Sequence, residues 1–200
     1  MNEDEWLISD HPYAMIRELR QHEYSDRKFR LFACAIVRKS WHLLTDARSQ
    51  RAVRIAELYA DRLALFVDMV DFRSQASYAH HAACGHEKII AAYDAYACCF
   101  KDENDAVDAV LEAPNVITRQ CQADLLREIV GNPFREYESV QYNSTIVNLA
   151  QDVYDSFDPI KISILADALE DVGSELVEHL RSGILHVKGC WAIDSILGKS

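Results

Sequence analysis

The stretch Ser25 to Leu44, SDRKFRLFACAIVRKSWHLL, decides the fold class. Phe29, Phe32, Ala33, Ile36, Val37, Leu43 and Leu44 recur at the three- and four-residue spacing of one helical face. That spacing predicts a single helix of about five turns. Ser25 stands where its hydroxyl can accept a bond from a free first-turn N–H. The opposite side carries Leu31, Ala35, Arg38 and His42, so it is only half polar. A helix apolar on one side and half apolar on the other belongs in the middle of a bundle.

The rest of the chain reads the same way. Half of its 200 residues are hydrophobic, and only four prolines and six glycines interrupt it. Few breakers among many Ala, Leu, Glu and Arg favour helix, and no alternating apolar/polar run argues for a strand. The expectation is an all-α fold, one domain spanning 1–200, built as a helical bundle of about eight to ten helices. Pro12 opens an early helix carrying Met15, Ile16 and Leu19. From Arg48 a long apolar pattern predicts a helix to about Val70, bent around Asp68 to Phe72, with Ala-rich helix from Ser74 to Cys84 and a break at Gly85. Pro114 is placed to open a helix carrying Val116, Ile117, Leu125, Leu126 and Ile129 up to Gly131. Gly131-Asn132-Pro133-Phe134 is a strong stop. Ser144 caps the next helix, Asp158-Pro159 starts another that ends at Gly173, and a last helix is expected from about Val187 to Leu197.

The formal net charge is −11, unevenly placed. Arg17 to Arg62 holds eleven basic and six acidic residues, and Lys101 to Arg181 holds six basic and seventeen acidic. A broad nucleic-acid surface needs net positive charge, so a nucleic-acid partner is disfavoured and would be confined to the basic first third. No apolar run approaches the roughly 20 residues that span a bilayer. The acidic MNEDEW start lacks the basic and apolar regions of a secretory signal, so the cytoplasm is the expected compartment. The six cysteines then read as reduced thiols.

Chemistry has a few candidate places. His42, His186 and Cys190, with His179 and Cys34, offer imidazole and thiol ligands of the kind zinc or copper takes. His186 and Cys190 are one turn apart if the last helix includes both. A second metal candidate is His80, Cys84 and His86, on the helix before Gly85 and just beyond it. Asp167, with Glu170 or Asp171, puts paired carboxylates on one helix face, where a solvated surface is the commoner reading. Arg27, Arg30, Arg38, Arg127 and Arg135 are expected to pair with carboxylates. There is no Gly-rich phosphate loop, Gly-x-Ser-x-Gly or His-Glu-x-x-His.

The blocks WLISDHPYAMIRELR, SDRKFRLFACAIVRKSWHLL, RAVRIAELYAD, LLREIVGNPFR, ILADALEDVG and HVKGCWAIDSILGK resemble those of an all-helical bacterial family that is multicopy in planctomycete-type genomes. They cover most of positions 6–62 and 124–199, and the Ala-rich middle, about 70–118, corresponds to that family's variable part. The resemblance implies no particular activity. It places emphasis on Arg27, Arg30, Cys34, Trp41, His42, Gly131, Asn132, Pro133, Phe134, Asp167, Asp171, His186, Gly189, Cys190, Trp191 and Asp194. Ile36-Val37 departs from the small or cysteine residues expected there, which argues against a multi-cysteine site on the Ser25–Leu44 helix.

Two functional expectations follow. The first is a non-enzymatic module that binds another protein or itself, through its acidic second half or its Gly131–Arg135 corner, with Asn132, Phe134, Arg135, Asp167 and Asp171 as the candidate contact residues; it would need no cofactor. The second is a metal protein or enzyme using His42, His186 and Cys190 with Asp167 or Asp171, zinc being the ion to test.

Overall fold

The computed structural model describes residues 1–22, 24–113, 116–135, 137 and 140–199. These form twelve α-helices and one 3-10 turn, without a strand among the described residues. They divide into two compact units, Met1–Leu126 and Arg127–Ser200. No helix among them is long and apolar enough to cross a membrane.

The first unit begins with α1 (Glu3–Ile8), where Asn2 and Glu5 close a reciprocal capping box, and α2 (Pro12–Gln21), which starts on its proline. Then comes α3 (Asp26–Lys39), buried along both faces from Lys28 to Val37, as a central helix should be. It is shorter than the periodicity predicts. Ser40 turns its hydroxyl back onto the Val37 carbonyl at 3.1 Å, and Trp41–Leu43 continues only as a 3-10 turn. Ser25 does sit at the N-cap, but its side chain makes no capping bond.

Around α3 pack α4 (Ala47–Ala60), α6 (His86–Ala97) and α7 (Glu103–Glu112), with α5 (Phe66–Ala82) against α4 and α6. The expected long helix from Arg48 to Val70 is two helices. The chain breaks at Asp61–Leu65, not around Asp68 to Phe72, with Arg62 in the left-handed region at φ 60°. Leu63 and Leu65 are exposed there, so their apolar spacing did not signal a buried face. The break at Gly85 stands where expected.

Three arginines of α3 are placed with partners at this core. Arg30 is wholly buried. It donates to the carbonyls of Cys98, Phe100 and Lys101 at 2.7, 2.9 and 3.1 Å and to Glu103 at 2.6 Å. These carbonyls lie at and beyond the end of α6, where helix geometry leaves acceptors free. Arg27 pairs with Asp61 at 3.0 Å, and Arg38 binds both oxygens of Glu57 at 2.8 and 2.6 Å. Pairing with carboxylates is thus as expected for these three.

Helix α8 (Arg119–Val130) contains the boundary between the units. Pro114, expected to open it, lies outside the described residues. Val116 and Ile117 precede the helix as bends. In the second unit α9 (Ser144–Ser156) is capped by Asn143, whose Oδ1 accepts from Ile146 N at 3.0 Å, and not by Ser144. It packs on α10 (Pro159–Glu170), which meets α11 (Leu176–Leu180), and on α12 (Trp191–Leu197). Val153, Leu165, Leu169, Leu180 and Ile193 form their shared core. Each such side chain contributes about 1.5–3 kcal/mol when fully buried.

Candidate metal centre

The second unit gathers four side chains from separate places in the sequence. Glu128 lies on the last turn of α8, among Leu125, Leu126 and Ile129 on the buried side. His179 is on α11. The loop after α11 carries His186, and Cys190 is the N-cap of α12. One ligand atom from each lies within 4.8 Å of all the others.

His186 Nδ1 stands 2.9 Å from Glu128 Oε1, and its Nε2 stands 3.3 Å from the Leu180 carbonyl. Both ring nitrogens therefore face acceptors, which only a doubly protonated imidazole can serve. His179 Nε2 lies 3.3 Å from Cys190 Sγ and 3.2 Å from Glu128 Oε2. The latter is within ion-pair distance but outside hydrogen-bond geometry, so Oε2 is a buried acceptor with no hydrogen-bond partner. Cys190 Sγ is 3.8 Å from His186 Nδ1.

Burial acts on three of these groups. It pushes the Glu128 carboxyl up, and the two histidines beside it more than reverse this, holding it down to about 2. Burial pulls His186 down, but its bond to Glu128 and that carboxylate's charge raise it above the ordinary histidine value. Cys190 is wholly buried, and burial together with Glu128 raises its thiol well above the usual range. A buried thiol held protonated is a poor nucleophile. A cation would change this, since coordination deprotonates a thiol outright.

The wall behind the cluster is aromatic. Trp191 lies 4.9 Å, ring to ring, from His179 and 4.3 Å from Tyr137. Gly131 ends α8 with φ 75°, its N–H on the Arg127 carbonyl at 2.9 Å. A Cβ built on it would stand 3.0 Å from Trp191 Cγ. Gly131→Ala therefore meets both a left-handed backbone and a packed indole. It is expected to cost about 2 kcal/mol in urea titration, and a change near zero would show that the indole yields freely.

The other candidates fare differently. His42 is exposed on the 3-10 turn of the first unit and is not in the group; Glu128 takes the place it was expected to fill. The last helix starts at Trp191, so His186 and Cys190 do not share it. They meet because the loop curls back, with Cys190 N on the Val187 carbonyl at 3.0 Å. His80, Cys84 and His86 form no ligand group among the described residues. Helix α5 ends at Ala82, which removes the one-turn relation of His80 to Cys84, and His80 Nδ1 is 3.2 Å from the Ile89 carbonyl. Asp167 and Glu170 are exposed and share Arg181 at 2.6 and 2.7 Å, while Asp171 is the exposed C-cap of α10. Asn132 Oδ1 accepts from Phe134 N at 3.0 Å, and Arg135 pairs with Glu175 at 2.6 Å, so the turn after α8 is built from local contacts.

Glu128 was not singled out in the sequence, although one signal existed: it lies between Leu125 and Ile129 at the spacing of the buried stripe. No family model, curated protein or solved structure matches the chain at a significant level.

Proposed function

We propose that this is a metal-binding helical protein, with one zinc ion held by Glu128, His179, His186 and Cys190 in the second unit. The observation that carries this reading is the convergence of four ligand atoms within 4.8 Å around a buried carboxylate oxygen with no hydrogen-bond partner. Ligands about 2.0–2.3 Å from zinc at tetrahedral angles stand about 3.3–3.8 Å apart. The contacts of 2.9, 3.2, 3.3 and 3.8 Å lie near that spacing, and the longest separation in the group, within 4.8 Å, has to close by about 1 Å to meet it. Mixed nitrogen, sulfur and oxygen ligands suit zinc, whereas calcium and magnesium take oxygen. A thiolate and a carboxylate together balance the charge of a divalent ion, as a buried site requires.

Four protein ligands leave no open position, which is the arrangement of a structural zinc and not of a hydrolytic one. The ion takes the place of the His186 Nδ1 proton, and the Leu180 carbonyl then holds the ring by Nε2–H, a common second-layer contact at metal histidines. The free state of all six cysteines suits the cytoplasm.

A second reading, an interaction module that binds another protein or a second copy, is supported by the outer side of α10. Ile160 and Ile164 are exposed one turn apart, with Asp167 and Asp171 farther along. Native mass spectrometry of protein purified without chelator tests both. The expected spectrum shows one zinc per chain, lost in His186→Ala and kept in His42→Ala and His80→Ala. An apo mass with no stoichiometric uptake of added zinc overturns the metal reading, and a co-purifying chain on such apo protein favours the second.

A further inference from the structure

The turn that parts α4 from α5 gives the first unit a surface of its own. Leu63 is 72% exposed, Leu65 69% and Val67 58%, and Leu58 and Phe66 are exposed on either side. Single apolar residues scattered over a surface need no explanation, whereas several gathered in one turn mark a contact. The turn is held in this outward form. Arg62 N–H donates to the Tyr59 carbonyl at 3.0 Å and Leu63 N–H to the Leu58 carbonyl at 2.8 Å. Leu65 N–H donates to Asp68 Oδ2 at 3.0 Å, and the Phe66 ring lies 6.2 Å from that of Tyr59. An apolar turn already fixed outward has little ordering cost left when it meets a partner.

The charge beside it is basic. Arg51, Arg54 and Leu58 follow at three and four residues along the outer side of α4, and Arg62 stands just beyond its end; all four are exposed. None of these three arginines has an ion pair among the described residues, and Arg54 lies 5.6 Å over the Trp41 ring. From α3, Arg27 and Arg38 answer Asp61 and Glu57. Between positions 51 and 73 that leaves four arginines, Arg51, Arg54, Arg62 and Arg73, against two acids, Asp68 and Asp71.

We propose that this turn docks the first unit on the surface of a bilayer carrying anionic phospholipids, with Leu63, Leu65 and Val67 entering the boundary between headgroups and acyl chains and the arginines meeting lipid anions. The pairing of an apolar turn with unneutralised arginines selects this partner. A second copy meeting the same patch in a symmetric pair would set arginines against arginines. Nucleic acid would answer the arginines and leave the leucines in water. The chain as a whole stands at −11, but charges farther from the lipid than a Debye length of about 8 Å are screened from it at physiological salt.

Co-sedimentation of the full chain with vesicles tests this, using phosphatidylcholine alone and phosphatidylcholine mixed with phosphatidylserine. Binding to the mixed vesicles is expected to be about 25-fold tighter, the effect of two net positive charges at roughly fivefold each. Arg51→Gln with Arg62→Gln removes both charges at exposed positions and should erase that preference. Leu63→Ser with Leu65→Ser, also at exposed positions, keeps the charge and should weaken binding to the mixed vesicles by at least about tenfold. Circular dichroism of each variant confirms that the helices are intact. No binding to the mixed vesicles overturns the proposal, and so does equal binding to both kinds. Binding that survives the leucine substitutions overturns it too, because adsorption by charge alone needs no apolar turn.

Discussion

In the metal-free protein, Glu128→Ala is expected to destabilise the second unit by about 3–5 kcal/mol, the range for removing one partner of a buried ion pair. Glu128 is 2% exposed and His186 6%, so neither charge has water to fall back on. Without the carboxylate, the His186 ring keeps its bond to Leu180 but loses its partner at 2.9 Å, and His179 loses one at 3.2 Å. Glu128→Gln keeps an acceptor for His186 and should lose less. Urea titration with hydrogen exchange on the α12 amides measures the effect where it acts, and a loss below about 1 kcal/mol would sink the pairing argument. The pH dependence has a definite direction. The Glu128 carboxyl lies at about 2 against an ordinary 4.5, so its contribution is full above 4.5 and disappears as pH falls towards 2. His186 is raised, so its share is full below 6.5 and fades as pH climbs through the raised value. The metal-free second unit should therefore be most stable between these limits.

The first unit is expected to lose stability as pH rises through mildly acidic values, where the second is level, through Asp94 on α6. This side chain is 2% exposed, its Oδ1 has no hydrogen-bond partner, and burial pushes its carboxyl up to about 8 from 3.8. Below pH 4 it is protonated in both folded and unfolded chains. Between 4 and 8 the folded unit keeps the proton and the unfolded chain releases it, so stability falls as pH rises, by at most about 1.4 kcal/mol per unit. Above 8 the loss is complete. Asp94→Asn removes the titration, so the first-unit unfolding free energy between pH 5 and 8 should lose most of its slope. A slope unchanged by the substitution would show that Asp94 ionises freely in the folded state.

The helical class was legible because apolar residues at three- and four-residue spacing have few other uses in a chain so poor in glycine and proline. Endings were harder to read. The α4–α5 break at Asp61–Leu65 contains neither Gly nor Pro, and its leucines continue the apolar rhythm into a turn. Ser40 stops α3 through a bond to its own backbone, which residue spacing cannot express. For the cluster, His186 and Cys190 were found from a helical spacing the fold does not use. His179 was visible only as one more histidine nearby. Glu128 was hidden because an acid on an amphipathic helix reads as solvated until tertiary packing places it inside.

Arg30 has a consequence for how the chain is made. Its acceptors lie 68 to 73 residues farther along. At about 5–20 residues per second, a ribosome delivers them roughly 4 to 15 seconds after α3 has been synthesised. During that interval the most buried helix of the first unit has a guanidinium that cannot be sheltered, and it cannot dock in its final place. Translation pauses before Glu103 would lengthen the exposure, and synonymous codon choice across α4 to α6 would tune the yield of folded protein without altering one residue.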